Sequence, residues 1–405
     1  MAETWFLATL WLGLALLATL LSIGLGIATA LSEIVVGTVA QLFMGALFGS
    51  ALLTADISWI KFLSGTGAIL LTFLAGAELD PRIFRANWKE ATVVGFVSFL
   101  SPFLLCTAGA YYWLQWSSEA SWLAGVALST TSVAVVYAVM LEFGLNQTEF
   151  GKTLLAACFV TDLGTVLALG FIFAPFSYRM VVFLGVVFLG FLVLPWVTPR
   201  FFIRFGGRPS ELEAKFLLLI LFGFGGLAVW ADSEAVLPAY LIGMMLAGTV
   251  GKDHVLIRRL RTLTFGLLTP FYFIRAGSLV SIPALVAAPA PLVWLFLIKI
   301  ASKTLAVYPA TQRFDNSRGE GMYTTLLMST GLTFGSISAL FGLTHGIINT
   351  PQYSYLVAAV VGSAVLPTLV ANAFFLPGHL LRENPEAPVL PIPPESPAQN
   401  PDPAK

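Results

Sequence analysis

The chain contains few charged residues for its length. Only 10% of its 405 residues are Asp, Glu, Lys or Arg, whereas soluble domains carry about 25%. Its 21 basic and 21 acidic residues cancel, so it lacks the basic surplus that nucleic-acid binding requires. A soluble fold of this length needs more polar surface than these residues supply. We therefore exclude a soluble protein and do not expect nucleic acid as a partner.

Side chains that bind metals or act as nucleophiles are also scarce. Cys106 and Cys158, the two cysteines, both lie in apolar stretches and lack the spacing of a disulfide framework or a metal site. The three histidines show no metal-type spacing on a helix. There is no P-loop, no nucleophile elbow and no glycine-rich dinucleotide fingerprint. We expect neither an enzyme nor a bound cofactor.

What the sequence does contain is long apolar segments. Hydrophobic residues make up 58% of the chain, and the mean hydropathy is +0.88. The segments are about 20 residues long, which is enough for an α-helix to cross ~30 Å of hydrocarbon. The predicted fold class is an all-α polytopic membrane protein with about 13 transmembrane helices. The predicted spans are 5–28, 33–51, 59–77, 91–114, 121–141, 153–175, 179–202, 214–231, 234–250, 264–283, 288–310, 320–342 and 353–376.

The basic residues between these spans fall mostly on one side. If the loop after the third span is cytoplasmic, the cytoplasmic loops and tail hold most of them, and the opposite side holds only Lys61 and Arg179. This is the positive-inside pattern. It predicts an N-terminus outside the cell and a C-terminus in the cytoplasm.

Thirteen spans divide into six, a linking helix and six. Span n then runs opposite to span n + 7, which is the inverted-repeat plan of many secondary transporters. The tail after the last span is rich in proline and is predicted to be disordered. The predicted domains are a membrane domain at 1–378, with repeats at about 5–175 and 214–376 joined by helix 179–202, and a tail at 379–405.

Two of the repeat-related spans are predicted to be interrupted. The fifth contains Ser129, Thr130, Thr131 and Ser132, and the twelfth contains MSTGLTFGSISAL from Met328. Interrupted helices near the midplane bind ions in many secondary transporters. The alternative is that these hydroxyls only bond to their own helix, which is common in membranes.

Asp162 is the main candidate for an ion-binding residue. It lies about nine residues into the sixth span, or ~14 Å deep and near the midplane. A carboxylate there costs at least ~2.5–3.5 kcal/mol, so we expect it to face a cavity or a partner. Burial favours a protonated carboxyl and a nearby cation favours a charged one, so a proton and a metal cation would compete for it. A purely structural aspartate is the alternative.

Lys299 and Lys303 share one face of the eleventh span because they are four residues apart. Lys303 reaches a depth similar to that of Asp162, so an ion pair or a nearby counter-charge is expected. Snorkelling of the lysine to the membrane interface is the alternative.

Arg275 and Glu78 are weaker candidates. Arg275 lies within the tenth span and does not release its proton, so we expect it to have a structural or field-setting role. Glu78 ends the third span, where its simplest partners are Arg82 and Arg85, although an intramembrane cation is an alternative partner.

Five segments carry a family resemblance. They are FLAGAELDP (73–81), STTS (129–132), LEFGLNQTEFGKTLLAACFVTD (141–162), AYLIGMMLAG (239–248) and SKTLAVY (302–308). In these segments and their order the chain resembles the monovalent cation:proton antiporters, in the bacterial branch of sodium/proton exchangers and Kef-type potassium-efflux carriers.

The resemblance implies a dimerisation domain and a core domain in which two broken helices cross near an ion-binding aspartate. It also implies an elevator-like movement of the core, a homodimer, and a place in the lipid bilayer of a prokaryotic plasma (inner) membrane. The family's cation-binding aspartate corresponds to Asp162, and the lysine that faces it in electrogenic members corresponds to Lys303. Thr161 departs from the pattern, because electrogenic members carry Asp there and others Asn or Gln. The resemblance therefore does not extend to electrogenic exchange.

The predicted function is antiport of a monovalent cation, Na⁺ or K⁺, against protons by alternating access. Asp162 is predicted to bind either the proton or the cation. The residues predicted to supply cation-binding oxygens or to set the field are Thr161, Thr130, Thr131, Ser132, Lys303, Lys299, Arg275 and Glu78. A Na⁺-coupled carrier of organic anions and a cation channel are the alternatives, although the sequence shows no repeated channel filter.

Overall fold

The computed structural model describes residues 2–25, 28–48, 55–77, 87–145, 148–173, 177–207, 210–231, 233, 235–314 and 317–382, and these residues contain helices but no β-strand. The helices are α1 (Ala2–Leu25), α2 (Thr29–Phe48), α3 (Ser58–Ala77), α4 (Trp88–Tyr112), α5 (Ser118–Ser129), α6 (Val133–Glu142), α7 (Glu149–Phe173), α8 (Tyr178–Phe205), α9 (Leu212–Trp230), α10 (Val236–Leu246), α11 (His254–Leu263), α12 (Thr269–Ser278), α13 (Ile282–Ala287), α14 (Ala290–Thr311), α15 (Arg318–Met328), α16 (Thr333–Thr344), α17 (Thr350–Phe374) and α18 (Gly378–Arg382).

Nine helical segments within the described ranges are long and apolar enough to cross a membrane, counting α15 with α16 as one. The helices α2 and α10 are shorter and apolar, and two further passages consist of α5 with α6 and of α11 with α12. Together they make up the predicted thirteen passages. Exposed apolar side chains such as Leu16, Phe188 and Ile203 cover the outer surfaces of α1 and α8, as expected for helices that face lipid.

The tenth passage begins earlier than its predicted start at residue 264. Helix α11 begins at His254, and a π-helical turn at Thr264–Leu268 joins it to α12. The basic residues of this segment predict a loop, but the segment is a helix with its apolar side chains Leu256, Ile257 and Leu260 buried along one face. The predicted tail also begins with structure, because α18 continues to Arg382; residues 383–405 lie outside the described residues.

The helices pack into two bundles. In the core bundle, α4–α7 pack against α14–α17; in the scaffold bundle, α1–α3 pack against α10 and α12, with α8 and α9 alongside α10. The glycines of the scaffold allow helices to cross closely. A Cβ on Gly243 of α10 would overlap the carbonyl oxygen of Phe73 in α3. The close packing of α10 against α3 therefore explains why residue 243, within the AYLIGMMLAG segment, is a glycine.

The ends of the core bundle differ in charge. Successive passages alternate in direction, so Lys89, Lys152 and Arg313 lie at one end, called the basic end below. The outer ends of α5 and α17, near Ser118 and Thr350, lie at the other, called the opposite end.

Candidate functional site

The site is built around two broken helices that meet in the middle of the core bundle. Helix α5 ends at Ser129 and α6 begins at Val133, while α15 ends at Met328 and α16 begins at Thr333. Both interruptions were predicted from the sequence. Broken helices leave backbone groups without intrahelical partners, and a membrane interior offers no water to satisfy them.

Each break supplies partners to the other. The Ser132 N–H donates to the Thr330 carbonyl oxygen at 3.0 Å, and the Thr131 hydroxyl donates to the Met328 carbonyl oxygen at 2.8 Å. The close approach depends on a glycine, because a Cβ on Gly331 would meet the Lys299 ammonium and would lie 2.8 Å from Thr130 Oγ1. The hydroxyls of the fifth passage and Gly331 of the twelfth therefore hold the two broken helices together where they cross.

Lys303 of α14 fastens this crossing. Its Nζ donates to four acceptors between 2.6 and 3.1 Å, which are Ser98 Oγ, Thr130 O, Thr131 Oγ1 and Met328 O. The ammonium has three N–H donors, so its hydrogen-bonding capacity is filled. The Thr130 and Met328 carbonyls belong to the C-terminal ends of α5 and α15, where the helix dipoles are negative. Lys303 is completely buried, so the snorkelling alternative is wrong.

Asp162 lies in the middle of α7 and is 1% exposed. Its Oδ1 atom is buried and accepts no hydrogen bond from the described residues. No basic group among those residues comes within 4.0 Å of the carboxylate, so the ion pair considered for Lys303 does not form here. The two residues are nevertheless close enough for their charges to interact. Asp162 therefore has a counter-charge nearby and an acceptor atom without a protein partner.

The predicted hydroxyl residues make different hydrogen bonds. The Thr161 hydroxyl lies 3.1 Å from the carbonyls of both Gly95 and Ala157, so its proton is donated to one of them. The Thr130 hydroxyl donates to the Ala127 carbonyl, and Ser132 Oγ accepts the Val135 N–H at the start of α6. Each hydroxyl keeps oxygen lone pairs, because its proton is donated to a carbonyl or its oxygen accepts a single bond.

Lys299 lies one turn from Lys303, towards the opposite end of the bundle. Its Nζ donates to Ser363 Oγ of α17 at 2.9 Å and approaches Gly331. Both lysines thus face the crossing.

Arg275 does not join the site. Its Nε donates to the Ala55 carbonyl at 2.9 Å, and its Nη2 lies 3.7 Å from Asp56 Oδ1, near the start of α3 in the scaffold bundle. These contacts hold a loop against α12. Glu78 lies outside the described residues.

Three side chains at the site were missed by the sequence reasoning. Ser98 accepts a hydrogen bond from Lys303, and Ser363 accepts one from Lys299. A single serine in an apolar helix does not indicate in the sequence that it binds a lysine. Tyr240 of α10 donates from its hydroxyl to the Phe159 carbonyl at 3.0 Å, and its ring meets Phe334 edge-on at 5.7 Å. A tyrosine in the otherwise apolar AYLIGMMLAG segment was an available signal.

A cavity of about 200 Å³ opens at the basic end of the core bundle. Its carboxylates are Glu90, Glu149 and Glu320, of which Glu149 pairs with Lys152 and Glu320 with His379. The described residues include no group of three or more His, Cys, Asp or Glu placed to hold a metal ion. Three carboxylates therefore line the cavity, and two of them are paired with basic side chains.

Comparisons with known proteins point to one family. The model of the family "Sodium/hydrogen exchanger, transmembrane" matches residues 11–375. The chain is similar to the Na⁺/H⁺ antiporter of Enterococcus hirae, with 24% identity over 83% of this chain and 91% of that one. It is also similar to the glutathione-regulated potassium-efflux system protein KefC of Shigella flexneri, with 26% identity over 75% of this chain and 50% of that one.

A solved structure has the same fold. It is the sodium proton antiporter MjNhaP1 from Methanocaldococcus jannaschii at pH 8, with a TM-score of 0.70, 16% identity, and coverage of 95% of this chain and 98% of that one.

Proposed function

The chain belongs to the sodium/hydrogen exchanger family, and from this premise we propose that it exchanges a monovalent cation, Na⁺ or K⁺, for protons by alternating access. The observation that carries the proposal is Asp162, a buried carboxylate with an oxygen that has no partner among the described residues. It lies on α7 between Cys158 and Thr165, which contact Met328 and Ser129 at the two breaks. A charged carboxylate binds the cation, and a protonated one does not. Competition at this residue couples the two fluxes if the site opens to each side in turn.

The oxygens near Asp162 suit a monovalent cation. Backbone carbonyls and hydroxyls replace the hydration shell of such ions in selective sites. Thr161, Thr130, Thr131 and Ser132 bring oxygens to the crossing, so we assign them the role of helping to replace bound water. The relatives named for Na⁺ and for K⁺ leave both ions as substrates to be tested.

Lys303 acts in this proposal as a fixed positive charge. Its donors are occupied by neutral oxygens, so it holds the crossing in place and is not neutralised by Asp162. A cation that reaches Asp162 is repelled by this charge, which limits how tightly it binds and allows it to leave.

The proposed orientation follows the charges. The basic end faces the cytoplasm and the N-terminus lies outside, in a prokaryotic plasma membrane. The core bundle then moves against the scaffold bundle, and two copies associate through the scaffold. The apolar groove between α1 and α2, lined by residues such as Leu14, Leu21 and Val39, supports a contact with lipid or a second copy.

The organic-anion carrier is not favoured. Lys299 and Lys303 donate to protein oxygens, and Arg275 is held by Ala55 and Asp56. A substrate carboxylate would have to displace these partners.

Purified protein in liposomes tests the proposal. A gradient of NaCl or KCl is imposed, and the internal pH is followed with a trapped dye. Proton movement driven by Na⁺ or K⁺, but not by choline, is the expected result. No proton movement with either ion would overturn the proposal.

A further inference from the structure

A small set of hydrogen bonds, called the seam below, joins the core bundle to the scaffold bundle and to α13, the short helix that connects the two bundles. In the described residues it comprises four donor–acceptor pairs: Tyr240 OH to Phe159 O at 3.0 Å, Tyr353 OH to Ala276 O at 2.6 Å, Ser281 N–H to Ser354 Oγ at 2.7 Å and Tyr355 OH to Ala284 O at 3.4 Å. In each pair one partner belongs to the core bundle and the other to the scaffold bundle or to α13, the helix that follows it.

Three of these bonds lie near the opposite end, and the Tyr240 bond lies near the midplane, at the level of Asp162. Phe159 is close to the middle of α7, whereas Tyr353 and Ser354 belong to the first turns of α17. Their partners Ala276 and Ser281 lie at or just beyond the end of α12. The seam therefore runs from the level of Asp162 to the opposite end, away from the cavity at the basic end.

Tyr240 places one of these bonds beside the ion site. Phe159 precedes Asp162 by a single helical turn, and Phe334 lies at the start of the second half of the broken twelfth passage. Through its hydroxyl and its ring, one scaffold side chain thus contacts both α7 and α16. A movement of the core bundle along the scaffold must separate these groups.

We propose that the seam is the gate on the opposite side, with Tyr240 and Tyr353 as positioning residues that hold the core bundle where Asp162 is shut off from that side. The inference rests on the proposed alternating access. Opening this side breaks these hydrogen bonds, which disfavours the open state by the net free energy of each bond. Removing a phenol oxygen removes one bond from the closed state and so favours opening.

Labelling of a buried cysteine measures the opening. Leu237 of α10 is buried and lies against α7, because a Cβ on Gly170 would be 2.7 Å from its Cδ2 atom. Leu237→Cys is expressed in intact cells and exposed to a maleimide that does not cross membranes. Tyr353→Phe and Tyr240→Phe are each expected to raise the labelling rate by roughly fivefold, the effect of one net hydrogen bond.

Tyr323→Phe is the matched control. Its hydroxyl donates to Asn372 Oδ1 at 3.3 Å within the core bundle, so it loses a buried phenol oxygen without touching the seam. Ser354→Ala is a second seam variant. Faster labelling in the seam variants alone supports the gate. Unchanged labelling in all three, or an equal rise in Tyr323→Phe, overturns it. Proton exchange by the protein without substitutions is measured separately, so failure of the proposed function is distinguished from failure of the gate.

Discussion

Lys303 and Asp162 lie close together in the core bundle without forming an ion pair. The lysine donates hydrogen bonds to Ser98, to Thr131 and to the carbonyls of Thr130 and Met328 at the helix ends. Asp162 keeps a buried oxygen free of hydrogen bonds from the described residues. Lys303 therefore maintains the crossing, and Asp162 is left to exchange its ligand. Substitutions of the two residues should have different effects.

Replacing Lys303 by methionine is expected to destabilise the protein. The carbonyl oxygen of Thr130 would remain buried without this donor, at about 1–3 kcal/mol, whereas that of Met328 keeps the Thr131 hydroxyl. The free energy of unfolding should fall by about 1–3 kcal/mol, measured by thermal denaturation in detergent. Lys61→Met is the control, because this exposed lysine pairs with Asp56 at the surface. Equal stability of the two variants would contradict the assigned role.

Gly331→Ala should disrupt the crossing of the broken helices. The added methyl group would overlap the Lys299 ammonium and press on Thr130. We expect a lower melting temperature and little exchange activity. Gly226→Ala, in α9, is the matched control, since no atom lies within 4 Å of its added carbon and alanine favours a helix. If both variants behave alike, the close approach at Gly331 has no importance.

The apparent affinity for the cation should depend on pH. Protons and cations compete for Asp162, so acidification raises the apparent KM for Na⁺ or K⁺, by up to about tenfold per pH unit, with little change in the maximal rate. Initial rates of exchange at several pH values measure this. A constant KM with a falling maximal rate would indicate that protons act elsewhere.

Exchange should be insensitive to membrane potential. Thr161 occupies the position before Asp162, so a single carboxylate at this place exchanges one proton for one cation. Rates are measured in liposomes with potentials imposed by a potassium gradient and valinomycin, using Na⁺ as the substrate. Acceleration by potential would show that a second group, with Lys303 the nearest cation, also releases a proton.

Much of this architecture was readable from the sequence. The thirteen passages follow from apolar length. The breaks at Thr130 and Gly331 follow from Ser and Thr clusters in two spans that the repeat relates, with glycines added in the twelfth. The acceptors of Lys303 were not readable, because two are backbone carbonyls of other helices and carbonyls have no sequence signature. The start of α11 was missed because its arginines suggested a loop, although its buried face is periodic.

The most direct measurement is ion-driven proton movement by Asp162→Asn in liposomes. The amide keeps the shape of the side chain but holds neither a negative charge nor an exchangeable acid proton. Glu119→Gln, at the exposed first turn of α5, is the control for loss of a carboxylate. The account predicts that Asp162→Asn abolishes exchange while Glu119→Gln retains it. Persistent exchange by folded Asp162→Asn protein would contradict the account.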